Sequence, residues 1–274
     1  MQMDKLENAQ QVERQDEHLV SLDRMGGLGD ASIQLLPNLM FLRSNKMRDQ
    51  SSDKSFRLSS AAHVVHAFIK FLEENKMRPA SKGSKWVDVG CGKGVFAIPF
   101  ASLGYIGTMV DPSSIAINYL RTNLPDATYI LGGVEKLKDY DYQIATFFLS
   151  LHHIKNTDAA IREIGAHLSN YGCLAICELD KEDGSFHSSI TVPHNGFDLD
   201  CLLQTIYEQT NWKLIAAKRD LSYFTRGGKH YSVWGVIMQK CEGTICRNND
   251  NVRKLFTIRD MDNAGIPISC ARKV

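Results

Sequence analysis

The stretch Trp86-Val87-Asp88-Val89-Gly90-Cys91-Gly92-Lys93-Gly94 runs from a short apolar strand directly into three glycines on alternate positions. The next apolar run, residues 105–110, ends in Asp111. Glycines let a backbone turn sharply and approach a ligand closely, and an acid at the end of a second strand can accept hydrogen bonds from both ribose hydroxyls. Each half is a weak signal alone. Together, in a strand-then-helix context, they predict a nucleotide-type site on a Rossmann-type half-fold. The spacing also discriminates between ligands. A dinucleotide loop reads G-x-G-x-x-G and needs a glycine at position 95, where this chain has Val95. NAD is therefore disfavoured.

The segment from Val87 to Gly94 resembles the first motif of class I S-adenosylmethionine-dependent methyltransferases, including the acid at Asp88 two residues before the first glycine. The resemblance spans residues 60–240 and is strongest over 86–111. It implies an α/β fold of Rossmann-like methyltransferase type: a doubly wound, mostly parallel seven-stranded sheet with helices on both faces. It also implies S-adenosyl-L-methionine as cofactor and S-adenosyl-L-homocysteine as product. By the same resemblance, Asp88 lies near the cofactor's amino group, and Gly90, Cys91, Gly92 and Gly94 cradle its amino-acid portion and ribose. Asp111, followed by Pro112, looks like the ribose-binding acid, the alternative being a turn acid before a proline.

Residues 131–137, Leu-Gly-Gly-Val-Glu-Lys-Leu, are similar to the family's adenine-lining segment, which adds Gly133, Val134 and Glu135 to the expected cofactor contacts. The family usually has an acid at the position of Gly133. Adenine recognition then falls to a backbone group or to Glu135, which a helix-start role explains equally well. Phe148-Leu149-Ser150-Leu151-His152-His153-Ile154 resembles the post-strand segment of the small-molecule branch, with Phe148 lining the cofactor. There the fourth strand usually opens with an acid at the position of Gln143, and Asp141 is the available substitute.

His152 and His153 are the candidate catalytic residues. They follow the carboxyl end of a strand, where open α/β sheets bind ligands, and an imidazole of ordinary pKa can accept a proton from an acceptor group. The alternative is that they line the cofactor pocket. Neighbours on a strand end point in different directions, so one of the two at most should face the acceptor. The segment from Glu178 to His187 is similar to one found after the fifth strand in a group of bacterial and fungal methyltransferases. Its carboxylates and histidine either bind a polar or cationic substrate or form a solvated loop. Methyl transfer from a sulfonium needs no metal; the Asp, Glu and His residues around the two post-strand loops could build a site in principle, but the chain shows no strong ligand motif, and no metal is expected.

The chain has 274 residues and 43% hydrophobic content, enough for one full α/β core with additions. Residues 1–59 read as an N-terminal extension or helical lid, 60–240 as the cofactor-binding domain, and 241–274 as a tail without a readable role. Within 60–75, Val65, Phe68, Ile69 and Leu72 recur at helical spacing. Strands are expected over 85–89, 106–110, 128–131, 144–148, 173–178, 213–217 and 231–238. Helices are expected over 95–103, 112–123 (with Pro112 in the first turn) and 158–168, and around Leu199 to Ile206. Residues 170–172 read as a turn and 179–196 as a long loop.

Lys and Arg total 32 against 31 Asp and Glu. No bulk positive field exists to hold nucleic acid or an anionic membrane, so neither is an expected partner. The absence of a long apolar run or a secretory core predicts a soluble, cytoplasmic protein. The seven cysteines, at 91, 173, 177, 201, 241, 246 and 270, are odd in number and scattered. They read as reduced thiols, with Cys173 and Cys177 on one face of a strand.

A small-molecule methyltransferase acting on an O, N, S or C nucleophile, mainly by positioning it, is the favoured function. A protein or nucleic-acid methyltransferase is the runner-up. It lacks the Asn/Asp-Pro-Pro-aromatic segment of base-amino methyltransferases and a Pro-Cys nucleophile. An altered dehydrogenase and a non-catalytic methyltransferase-fold binding protein complete the alternatives. Acceptor identity and oligomeric state have no readable signal.

Overall fold

Val65, Phe68, Ile69 and Leu72 are buried along one face of α1 (Ser60–Glu74), as their spacing requires. This helix opens the computed structural model, which describes residues 60–79, 81, 83–187 and 190–242. The expected lid over 1–59 and the tail beyond 242, with Cys246 and Cys270, lie outside the described residues.

From α1 the chain runs β1 (Lys85–Val89), α2 (Ala97–Ala101), β2 (Ile106–Asp111), α3 (Ser114–Asn123), β3 (Thr128–Leu131), β4 (Tyr142–Phe148), α4 (Thr157–His167), β5 (Leu168–Leu179), α5 (Leu199–Gln209), β6 (Trp212–Arg226) and β7 (Lys229–Lys240). Among the described residues these strands form a seven-stranded sheet in the order β3-β2-β1-β4-β5-β7-β6. All neighbouring pairs are parallel except those of β7, which runs antiparallel to β5 and β6. Order reverses between β1 and β4, the switch point at which such sheets bind ligands.

The strand period of two divides the core between the faces. Trp86 packs with α1, α2 and α3 on one side, and Val87 with α4 and α5 on the other. An aromatic stack joins α1 to the sheet beneath the glycine loop. Phe96 lies 5.0 Å from Phe148 and 5.4 Å from Phe68, and Phe100 sits edge-on to Trp86 at 4.7 Å.

Several boundaries differ from expectation. The helix after the glycine loop is only Ala97–Ala101. Pro112 lies before α3 rather than in its first turn, because Ser113 is the cap and its side chain accepts from the Ala116 amide. Residues 170–172 do not turn the chain but belong to β5, with Tyr171 at φ 61° absorbing the local irregularity. β6 is far longer than its apolar run, β7 extends two residues beyond each end of its own, and the two meet at Gly227-Gly228, both at positive φ, as a two-residue hairpin turn requires.

Cys91, Cys173 and Cys177 are free and buried, as expected. Cys201 and Cys241 are instead disulfide-bonded, which corrects the reduced-thiol reading for these two. Thiol pairing depends on how close the folded path brings two Cα atoms, and residue count carries none of that. Among the described residues no helix is long and apolar enough to cross a membrane.

Candidate active site

Gly90, Gly92 and Gly94 have φ of 72°, 50° and 79°, the left-handed region that favours glycine. A Cβ on Gly90 would lie 2.5 Å from Ser150 Cβ, and one on Gly94 would lie 2.4 Å from Leu120 Cδ2. These two glycines are thus demanded by the protein's own packing before any ligand is considered. The amides of Gly90 and Cys91 both donate to the Val110 carbonyl, at 2.8 and 3.1 Å. Asp111 then binds the loop to β2: its Oδ2 accepts from the Gly92 amide and its Oδ1 from the Ser113 amide, each at 2.8 Å.

Asp88 is 1% exposed and ends a buried relay. The Trp86 indole donates to Thr146 Oγ1 at 2.8 Å, and that hydroxyl donates to Asp88 Oδ1 at 2.6 Å. Burial pushes the Asp88 carboxyl up to about 7, with the Thr146 hydrogen bond opposing and Asp111 adding to the rise. An approaching ammonium would favour the ionised form. Cys91 lies in the core, its thiol raised by burial and by both acids, so it offers the loop its backbone rather than a nucleophile.

Beside Asp111, Leu131 ends β3 and is 56% exposed, and Val95 after the last glycine is 45% exposed. Val134 is buried, whereas Pro112 and Glu135 are exposed. Glu135 folds back so that Oε1 accepts from the Gly133 amide at 3.3 Å. A left-handed glycine loop, a buried acid, a strand-end acid and exposed apolar side chains suit a ligand carrying an ammonium, a ribose and a flat ring. These residues fit S-adenosylmethionine.

The histidines come from a 3-10 turn, Leu151–His153, entered through Leu149 at φ 51° and held by Ser150 Oγ donating to the Val89 carbonyl at 2.6 Å. His152 is buried, its Nδ1 lies 2.7 Å from Glu178 Oε1, and its amide donates to Glu178 Oε2 at 3.1 Å. Glu178, fully buried in β5, also accepts from the Leu179 amide at 2.6 Å. The carboxylate calls for a proton on His152 Nδ1, leaving Nε2 as the working nitrogen.

That Nε2 lies 2.9 Å from His187 Nε2. The His152 and His153 rings are 4.2 Å apart, and His187 is 5.0 and 5.2 Å from them. The two neighbours therefore do not diverge. A 3-10 turn advances about 120° per residue rather than alternating sides as a strand does, and both rings reach the same space.

The segment leading into His187 is braced by the β6–β7 hairpin. Phe186, next to it, packs on Phe224 and Tyr231, lies under the Arg226 guanidinium at 3.8 Å, and gives its carbonyl to Arg226. Glu182 Oε2 accepts from the Phe186 amide at 3.0 Å. Asp183 bonds Lys229 on the exposed outer side, which holds its carboxyl below the ordinary range. His194 binds the Ile154 carbonyl instead. Gln143 and Asp141 contact Lys85 at the opposite end of the sheet, so neither of these two positions reaches the site.

Comparison with known proteins bears on the family and the fold. A family model described as a methyltransferase domain matches residues 57–226. A ubiquinone biosynthesis O-methyltransferase of Rickettsia conorii is 25% identical over 141 residues, covering 50% of this chain and 49% of that protein. One from Rickettsia felis is 27% identical over 111 residues, covering 39% and 46%. The chain thus spans about half the length of the curated relatives it matches. The crystal structure of magnesium protoporphyrin IX methyltransferase from Synechocystis PCC 6803 with bound SAH superposes with a TM-score of 0.52 at 12% identity, covering 69% of this chain and 90% of that one. With the family model matching most of the chain and the fold agreeing, the chain belongs to the class I S-adenosylmethionine-dependent methyltransferases.

Proposed function

We propose that the chain methylates an oxygen nucleophile of a small-molecule acceptor, held against the imidazoles of His152, His153 and His187. The observation carrying this reading is the convergence of those three rings beyond β4 and β5, beside the glycine loop. When bound, S-adenosylmethionine supplies a methyl group already activated by its sulfonium. The protein's task is then to align the acceptor with that carbon and exclude water.

In this reading Asp88 meets the cofactor's ammonium and Asp111 its ribose, while the backbone of Gly90, Cys91, Gly92 and Gly94 follows its amino-acid portion. Leu131, Gly133 and Val95 border the adenine, and Glu135 contributes through its hold on the Gly133 amide. Phe148, stacked on Phe96, closes the floor. The imidazoles orient the acceptor's nucleophilic atom, with Glu178 fixing the first of them. The Rickettsia relatives are named as O-methyltransferases, which supports oxygen as the nucleophile. A net charge of +1 supports a small acceptor over nucleic acid.

The test is S-adenosylhomocysteine release with phenols, hydroxy acids and carboxylic acids, against peptide and RNA pools. Turnover confined to small oxygen acceptors is expected. Turnover confined to peptide or RNA would overturn the reading.

A further inference from the structure

We infer that His152, His153 and His187 form a binding site for a divalent transition-metal ion of the zinc class, with Glu178 as the carboxylate that orients its first ligand. Their ligand nitrogens all lie within 4.8 Å of one another. Imidazole is the ligand type that suits zinc, copper, iron and nickel, and three protein ligands with one open position is the pattern of catalytic rather than structural zinc sites.

Three features distinguish this cluster from histidines packed by chance. First, His152 and His187 present Nε2 to Nε2 at 2.9 Å. Two nitrogens on a tetrahedral ion, each at about 2.0–2.1 Å, sit roughly 3.3 Å apart, so a small opening of this pair accepts the ion. Second, the far nitrogen of His152 is bound by a fully buried carboxylate at 2.7 Å. That is the arrangement that fixes the tautomer of a metal-ligating histidine and raises its basicity. Third, the segments bringing the ligands together are braced. His152 and His153 share one short turn, and the neighbour of His187 is clamped by Arg226, Phe224 and Tyr231.

Ion binding stands on these residues alone; the ion's role rests on the methyl-transfer reading. At the open position it would take the acceptor's hydroxyl and lower its pKa, releasing the proton to solvent. The resulting oxygen lone pair would form the new bond to the methyl carbon as the carbon–sulfur bond breaks and its electrons return to sulfur. The ion would thus select acceptors whose nucleophile is itself a ligand.

The probe is Co2+ added to the tag-free 274-residue chain after chelation, followed by calorimetry and visible absorption. Expected are one saturable equivalent and the d–d bands of low-coordinate cobalt. His153→Ala and His187→Ala should each weaken binding by ~100-fold or more, and Glu178→Gln by ~10–100-fold, with circular dichroism showing each variant folded. Absence of a saturable equivalent in the parent chain would overturn the site and leave a hydrogen-bonded histidine cluster. Equal affinity in folded His153→Ala and His187→Ala would overturn it too, by placing the ion elsewhere. S-adenosylmethionine binding, measured on chelated and Co2+-loaded protein, tests the methyltransferase reading separately, because the Asp88 and Asp111 contacts do not involve the ion.

Discussion

Glu178 Oε1 lies 2.7 Å from His152 Nδ1, and the same carboxylate accepts the backbone amides of His152 and Leu179. One buried acid therefore fixes a side chain from the β4 turn and the end of its own strand. Glu178→Gln keeps the shape but turns an amide donor toward one of these donors. It should cost about 1–3 kcal/mol of stability and lower the methyl-transfer rate by ~10-fold or more. Cofactor affinity should stay within about threefold. Denaturant unfolding, turnover and calorimetry together check this; a rate equal to the parent's would remove His152 orientation from the mechanism.

Asp111 tests the cofactor cradle. Asp111→Ala should weaken S-adenosylmethionine binding by about 1–3 kcal/mol, since it removes a charged acceptor and frees the Gly92 amide. An unchanged dissociation constant would reduce Asp111 to a turn residue.

Asp88 makes stability depend on pH. Its folded carboxyl, raised from 3.8 to about 7, binds a proton more tightly than in the unfolded chain. Its contribution to stability is therefore full below about pH 4, declines as pH rises toward 7, and stays low above it. Asp88→Asn should lessen that decline by a few kcal/mol at most. S-adenosylmethionine affinity of the parent should rise over the same interval, because an ammonium partner favours the carboxylate. Thermal melts and calorimetry from pH 5 to 8 measure both slopes, and a flat stability difference between parent and variant would contradict the burial argument.

Gly90→Ala should destabilise the fold without any ligand present. The φ of 72° is unfavourable for a side chain, and the new Cβ would meet Ser150 at 2.5 Å. Left-handed strain plus overpacking costs about 2–4 kcal/mol, or roughly 5–10 °C in melting temperature. A melting temperature unchanged within error would show that the loop relaxes freely.

Much of this protein is written in contiguous residues. The parallel core strands, the glycine loop and the acids Asp88 and Asp111 were legible because both-face burial and left-handed turns constrain neighbouring positions directly. So was α1, whose buried face repeats at helical spacing. The outer part of β6 was not, because much of it is exposed and its pairing with β7 is held by backbone bonds through a glycine turn. Pro112 was misplaced because a proline suits either side of a helix cap, and only the Ser113 hydrogen bond decides between them.

The chemistry beyond the cofactor belongs to the tertiary structure. The sequence by itself determined that this chain carries a class I cofactor loop, since that motif is a local backbone device. It also supplied His152, His153, Glu178 and His187 as scattered polar residues. Only the fold decided that His187, 35 positions from His152, would meet it nitrogen to nitrogen, and that Glu178 would be buried behind His152. The physical reason is that a side-chain cluster depends on which strand ends are adjacent and how their turns rotate, and neither is expressed in the spacing of any one segment.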